Sequence, residues 1–146
     1  MQLHALLVGI DTYHPDTGVP PLKGCTNDIA AVTDLLRTRF GLSTDRIKTL
    51  KNAEATRANI EAAWLDHFCH NPEVCAGDTV LFYFCGHGSQ QPTAPEFYPL
   101  DSARRDELLV CYDGRLPGNF DLSDKEIAQL LQRIPPEVTP VLIIDA

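Results

Sequence analysis

Thr79-Val80-Leu81-Phe82-Tyr83-Phe84-Cys85-Gly86-His87-Gly88-Ser89-Gln90 joins an apolar, β-branched and aromatic run to an abrupt Cys-Gly-His-Gly. A run of that length and composition reads as a strand buried on both faces. A buried strand that delivers a histidine onto a glycine-flanked loop places an acid–base group at the carboxyl edge of an α/β sheet. A second strand, Pro140-Val141-Leu142-Ile143-Ile144-Asp145-Ala146, ends in an acid.

The rest of the chain alternates in the same style. Leu3 to Ile10 is an apolar run ending in Gly9-Ile10-Asp11 and reads as a buried first strand. A turn-rich loop with Pro15, Gly18, Pro20 and Pro21 follows. Ile29, Val32, Leu36 and Phe40 recur at helical spacing, with Gly41 at the expected stop. Arg46 to Lys51 is a weaker strand. Thr56 can cap a helix whose inward face is Ile60, Ala63, Trp64 and His67 or Phe68. After the long strand, Gln91–Glu107 reads as loop and Leu108 to Cys111 as a short apolar piece, with Cys111 in the core. Ser123 with Glu126 forms a capping box ahead of Ile127, Leu130, Leu131 and Ile134. Alternating strands and helices predict a parallel sheet covered on both faces. Asp11, Cys85-Gly86-His87 and Asp145 should then share one edge, within reach of Lys23-Gly24-Cys25-Thr26-Asn27-Asp28.

The bulk properties bound the function. The 146 residues suit one domain with a real core; 44% are hydrophobic and 22% charged, ordinary for a globular fold. Twenty acids against 12 Lys and Arg give a formal net charge of −8, which repels phosphates and argues against nucleic acid as a partner. No apolar run approaches the roughly 20 residues of a membrane span. Met1-Gln2-Leu3-His4 shows no basic-then-apolar leader, and five cysteines are odd in number without framework spacing, so a reducing, cytoplasmic setting is expected.

His87 is the candidate general acid–base group, because imidazole titrates near neutrality. Cys85 is the nearest thiol in sequence and lies on the same strand face two residues back, where packing or pocket lining is the commoner role. Asp28 doubles as a helix N-terminal acid favoured by the dipole. Asp11 after the first strand raises a phosphatase reading, weakened by Tyr13 where a second Asp is usual and by the lack of a phosphate-cradling glycine loop.

Three segments together resemble the large-subunit region of caspase-like cysteine peptidases, nearest the metacaspases and their bacterial relatives. Ala5-Leu6-Leu7-Val8-Gly9-Ile10 with Leu22-Lys23-Gly24-Cys25-Thr26-Asn27-Asp28 resembles the family's first strand and Gly-Cys-x-Asn-Asp element. Phe82 to Gln90 resembles its Tyr-Ser-Gly-His-Gly motif, with Cys85 in place of Ser. Val141 to Ala146 resembles the strand entering Asp-x-Cys-His-Ser-Gly. The resemblance implies an α/β, caspase-like three-layer sandwich, mostly parallel, with helices on both faces. Residues 1–146 would be the N-terminal part of the peptidase domain, incomplete at its C-terminal end, and the remainder of that domain would be a partner.

The implied activity is peptide hydrolysis by a Cys–His dyad, with His87 as base and acid. Gly88 N–H would be an oxyanion donor, and the cysteine would lie immediately beyond Ala146. Cys25, Asp28, Cys85 and Asp145 would line the primary pocket, whose carboxylates favour Arg or Lys over Asp in the substrate. The alternative is a non-catalytic caspase-homology module for protein interaction. The chemistry needs no cofactor. Calcium, common in the family, would use Asp106 and Asp124, but Lys125 stands where a further acid is usual, and both acids read as solvated surface groups. His67, Cys69, His70 and Cys75 fit no standard zinc spacing and read as helix end and loop. No metal ligand set is assigned.

Overall fold

A computed structural model describes residues 1–99 and 102–146. In chain order the elements are β1 (Leu3–Gly9), α1 (Cys25–Arg39), β2 (Ile47–Lys51), α2 (Arg57–Trp64), β3 (Thr79–Cys85), β4 (Gly88–Pro92), β5 (Arg105–Leu109), β6 (Leu122–Ser123), α3 (Asp124–Leu131) and β7 (Thr139–Asp145). Short 3-10 turns link several of them.

The main sheet is wholly parallel, in the order β2-β1-β3-β7. Its register sets Lys51, Gly9, Cys85 and Asp145 in one row across the carboxyl edge. Parallel strands need covered faces, and both are covered. Ala5, Leu7 and Leu81 pack with Ile29 and Leu36 of α1. On the opposite face Leu6, Val8, Phe82 and Phe84 pack with Ile60 and Trp64 of α2 and Ile127 and Leu130 of α3. The result is the expected three-layer, caspase-like α/β sandwich.

Helix boundaries follow local chemistry. Thr56 accepts the Asn59 N–H ahead of α2, and Ser123 and Glu126 form the expected reciprocal box ahead of α3; such caps are worth ~1 kcal/mol each. Past Trp64, α2 runs into a single π turn, Leu65–Cys69. The wider turn brings Phe68 into the core, edge-on to Trp64 with ring centroids 5.4 Å apart, and Trp64 lies 5.1 Å from Phe82. Side chains of this size contribute roughly 1.5–3 kcal/mol each when buried. The inward position after Trp64 is thus Phe68, while His67 is half-buried. Gly41 (φ +67°) ends the α1 segment as expected, but Phe40 is 64% exposed and not part of its inward face. It sits at the helix end, where the chain already turns away.

The largest departure from expectation is a second, antiparallel sheet, β4-β5-β6. Only the two ends of the stretch expected to be loop over 91–107, Gln91 and Pro92 on one side and Arg105 to Glu107 on the other, belong instead to the β4–β5 pair, in which Ser89 faces Leu108 and Gln91 faces Asp106; residues 100 and 101 of it lie outside the described residues. The apolar piece expected at Leu108 to Cys111 is the end of β5 and the turn beyond it. β4 is built from Gly, Ser, Gln and Pro and is largely exposed. Backbone pairing, not apolar alternation, holds it, so hydrophobic periodicity carries no trace of it.

Candidate active site

Asp11, one residue past Ile10 at the end of the first strand's run, organises the entrance to α1. Gly24 at the helix N-cap has no side chain to offer. Asp11 caps from a distance instead: Oδ1 accepts Cys25 N–H at 2.8 Å, and Oδ2 accepts Thr26 N–H at 3.0 Å and Thr26 Oγ1–H at 2.6 Å. Burial pushes the Asp11 carboxyl up, but the Thr26 and Cys25 hydrogen bonds outweigh it and hold it below its usual value. Asp11 is therefore committed to the helix end, which removes the phosphatase reading. The helix lies tight on β1: a Cβ at Gly9 would come within 2.4 Å of Ile29 Cγ1 and 2.9 Å of the Cys25 carbonyl oxygen. That close approach brings the first turn of α1 over the carboxyl edge.

The four residues expected to form a pocket are brought together there. Cys85 Sγ lies 3.7 Å from Asp28 Oδ2 and 3.9 Å from Asp145 Oδ2. Cys25 and Cys85 are buried beneath, and Asp28 and Asp145 are exposed above. Burial, then Cys25, then the two carboxylates push the Cys85 thiol up; burial raises Cys25 likewise. Both thiols stay protonated and neutral around pH 7, which suits pocket lining and not nucleophilic attack. The arrangement sets two exposed carboxylates beside a buried, uncharged thiol.

His87 leaves the sheet one residue after Gly86, whose N–H donates to Asp145 O at 3.1 Å. Its own backbone is held twice: His87 N–H donates to Tyr13 Oη at 2.8 Å, and His87 O accepts Val110 N–H at 2.9 Å. The imidazole Nε2 lies 2.9 Å from Pro20 O. A carbonyl can only accept, so Nε2 carries the proton and Nδ1 is left as the free base in the neutral ring. Tyr13 also stacks obliquely on the imidazole, centroids 5.4 Å apart. Burial pushes its hydroxyl up to about 12, so it remains a neutral phenol. A Cβ at Gly86 would fall 2.9 Å from Phe84 Cζ and 3.0 Å from Tyr13 Oη; one at Gly88 would fall 3.2 Å from Ala146 Cβ. The two glycines let the histidine loop lie flush against Tyr13 on one side and the end of β7 on the other.

Tyr13 and Pro20 were not among the expected site residues. Both sit in the proline-rich loop after β1, where the sequence signals only turns; the contacts arise when that loop folds across the sheet edge.

The metal expectations resolve differently. Among the described residues, the only His, Cys, Asp and Glu group whose ligand atoms all lie within 4.8 Å is Asp28, Cys85 and Asp145. His67, Cys69, His70 and Cys75 do not converge; His67 Nε2 is instead 3.1 Å from Arg46 O. Asp106 is not the solvated surface acid expected but is 8% exposed. Lys125 Nζ lies 2.8 Å from Asp106 Oδ1 and 3.3 Å from Asp124 Oδ2. An ammonium between the two acids, where calcium would need six to eight oxygens, does not fit a calcium site.

A family model described as "Metacaspase, peptidase C14 domain" matches residues 3–146. The chain is 30% identical to Metacaspase-9 of Arabidopsis thaliana over 148 residues, covering 97% of this chain and 42% of that protein. It is 28% identical to Metacaspase-4 of the same plant, covering 100% of this chain and 33% of the relative. A crystal structure of a Geobacter sulfurreducens protein superposes with a TM-score of 0.72 at 22% identity, covering 99% of this chain and 50% of that one, a likeness of fold. The chain thus spans roughly a third to two fifths of the length of these curated relatives. With ordered motifs, fold and family model in agreement, the chain belongs to the metacaspase peptidase C14 family.

Proposed function

We propose that this chain is the base-bearing, N-terminal part of a peptidase domain that cleaves peptide bonds after Arg or Lys. The observation that carries the reading is the carboxyl edge itself. His87, its Nε2 fixed on Pro20 O, stands on a loop whose next residue, Gly88, abuts Ala146 at the end of β7, while Asp28 and Asp145 flank Cys85 alongside.

In this reading the nucleophile is a cysteine that the family's Asp-x-Cys element places directly after Ala146. Nδ1 of His87 takes the thiol proton, and the sulfur adds to the substrate carbonyl. The Gly88 N–H is one donor to the oxyanion. Collapse breaks the C–N bond, the imidazolium returns its proton to the departing amine, and a thioester remains. Water, deprotonated by the same Nδ1, adds to the thioester and releases acid and thiol. Asp28 and Asp145 hold the substrate cation during both steps, and Cys85 fills the pocket floor without charge.

β7 is an edge strand of the main sheet, with Val141, Ile143 and Ile144 38–46% exposed. An apolar edge invites further pairing, and we assign it to the rest of the peptidase domain. The five free cysteines suit a reducing compartment such as the cytoplasm. No described helix is long and apolar enough to cross a membrane.

The test uses the full-length protein and reporter peptides ending in Arg, Lys or Asp. Arg and Lys reporters should be cleaved and His87→Ala should abolish cleavage. Preference for Asp sinks the pocket assignment. Full activity in His87→Ala sinks the catalytic one.

A further inference from the structure

Away from the sheet edge, one lysine is surrounded by oxygen. Lys125 Nζ contacts Asp106 Oδ1 at 2.8 Å, Asp124 Oδ2 at 3.3 Å and Arg105 O at 3.4 Å. The three oxygens come from β5 and from the first turn of α3. Asp106 is further engaged: Thr93 Oγ1 donates to Oδ1 at 2.7 Å and Gln91 Nε2 to Oδ2 at 3.4 Å. Burial raises the Asp106 carboxyl, but Lys125, Thr93 and Gln91 together hold it below its usual value.

A buried carboxylate needs a compensating cation. A divalent ion would supply two charges and call for six to eight oxygens. This cluster supplies one charge already attached to the chain, an ammonium whose N–H donors face Asp106, Asp124 and the Arg105 carbonyl among the described residues. The residues therefore disagree with the calcium site that the family implies. We propose that Lys125 is the resident cation of this joint: a tethered ammonium that joins the β4–β5 hairpin to α3 and makes the joint independent of calcium. β4 starts at Gly88, directly after His87, so the clamp steadies the segment on which the site rests.

The experiment titrates the full-length protein, stripped with chelator, with calcium chloride to about 5 mM, a range that covers weak protein sites. Calorimetry and melting temperature are read together. The wild-type protein should show no saturable binding and a melting shift below about 1 °C, because only a ligand of the folded state stabilises it. Lys125→Asp should gain saturable calcium binding and a melting rise of several degrees on adding the ion. Lys125→Met, leaving Asp106 without its cation, should melt several degrees lower with or without calcium. Saturable binding by the wild-type protein overturns the proposal, and so does an unchanged melting temperature in Lys125→Met. The wild-type titration decides even where a variant fails to fold. Neither readout depends on peptidase activity, so a protein that cleaves no reporter yet ignores calcium would refute the functional reading alone.

Discussion

Removing one oxygen atom tests how His87 is held. Tyr13→Phe keeps the ring that stacks on His87 but deletes the hydroxyl that accepts His87 N–H at 2.8 Å. Tyr13 is 7% exposed, so water does not readily replace the lost acceptor. An orphaned, partly buried N–H costs roughly 1–3 kcal/mol. For a domain of this size that lowers the melting temperature by roughly 2–12 °C. The larger effect is expected on catalysis. Among the described residues the His87 backbone then keeps its hydrogen bond to Val110 and the imidazole its contact to Pro20 O, and a shift of about 1 Å at a reacting group can cost about 100-fold in rate. The expected outcome in full-length protein is a fall in kcat of roughly 10- to 100-fold with KM for an Arg reporter little changed. A variant that melts lower but keeps wild-type kcat would falsify the positioning argument and leave Tyr13 a packing residue.

Asp28→Asn and Asp145→Asn should each raise KM for Arg reporters about 10-fold or more while leaving the melting temperature within a few degrees, since both acids are exposed; equal affinity in the double variant counts against the pocket. Gly86→Ala drives a methyl to 2.9 Å from Phe84 Cζ and 3.0 Å from Tyr13 Oη and should cost ~1–3 kcal/mol by overpacking, read by chemical denaturation. His4 is fully buried, and neither ring nitrogen has a hydrogen-bond partner among the described residues. Burial first, then His67 and Arg46, lower its affinity for a proton, against weaker opposing pulls from Asp78 and Asp45; burial lowers His67 too, with Lys48 adding to this and backbone carbonyls of Arg46 and Ala5 opposing. The unfolded chain therefore takes up protons that the folded one resists. The associated stability is present above about pH 6.5 and is lost as pH falls below it. Denaturation midpoints measured from pH 7.5 to 5 should decline, less steeply in His4→Phe; a flat wild-type profile refutes the linkage.

The parts of the fold readable from the sequence were those with a strong local signature. β1, β3 and β7 are long apolar runs, and the two N-caps at Thr56 and Ser123 are side-chain chemistry within three residues of their targets. β4 escaped because Gly-Ser-Gln-Gln-Pro has no apolar period, and its partner β5 lies 13 residues downstream in the chain. Asp106 was misjudged as solvated because burial of an acid depends on a lysine that neighbours it only in space. The grouping of Cys25, Asp28, Cys85 and Asp145 followed from the family resemblance, beside the rule that strand ends and loops meet at the carboxyl edge. The 3.7 and 3.9 Å distances of Cys85 Sγ from Asp28 and Asp145 did not.

By itself the sequence determined which residues could do chemistry: a histidine between glycines, acids at strand and helix ends, and thiols at the start of a helix and the end of a strand, all set by short-range pattern. Only the tertiary structure decided which of them meet, and at what distance. It turned Asp11 into a helix cap, gave His87 its tautomer through Pro20 O and its foothold through Tyr13 Oη, and seated Lys125 between two acids. Those outcomes depend on distances between segments far apart in the chain. Such distances are fixed by how a parallel sheet and its covering helices close-pack, and close packing is a property of three-dimensional contact that no local pattern encodes.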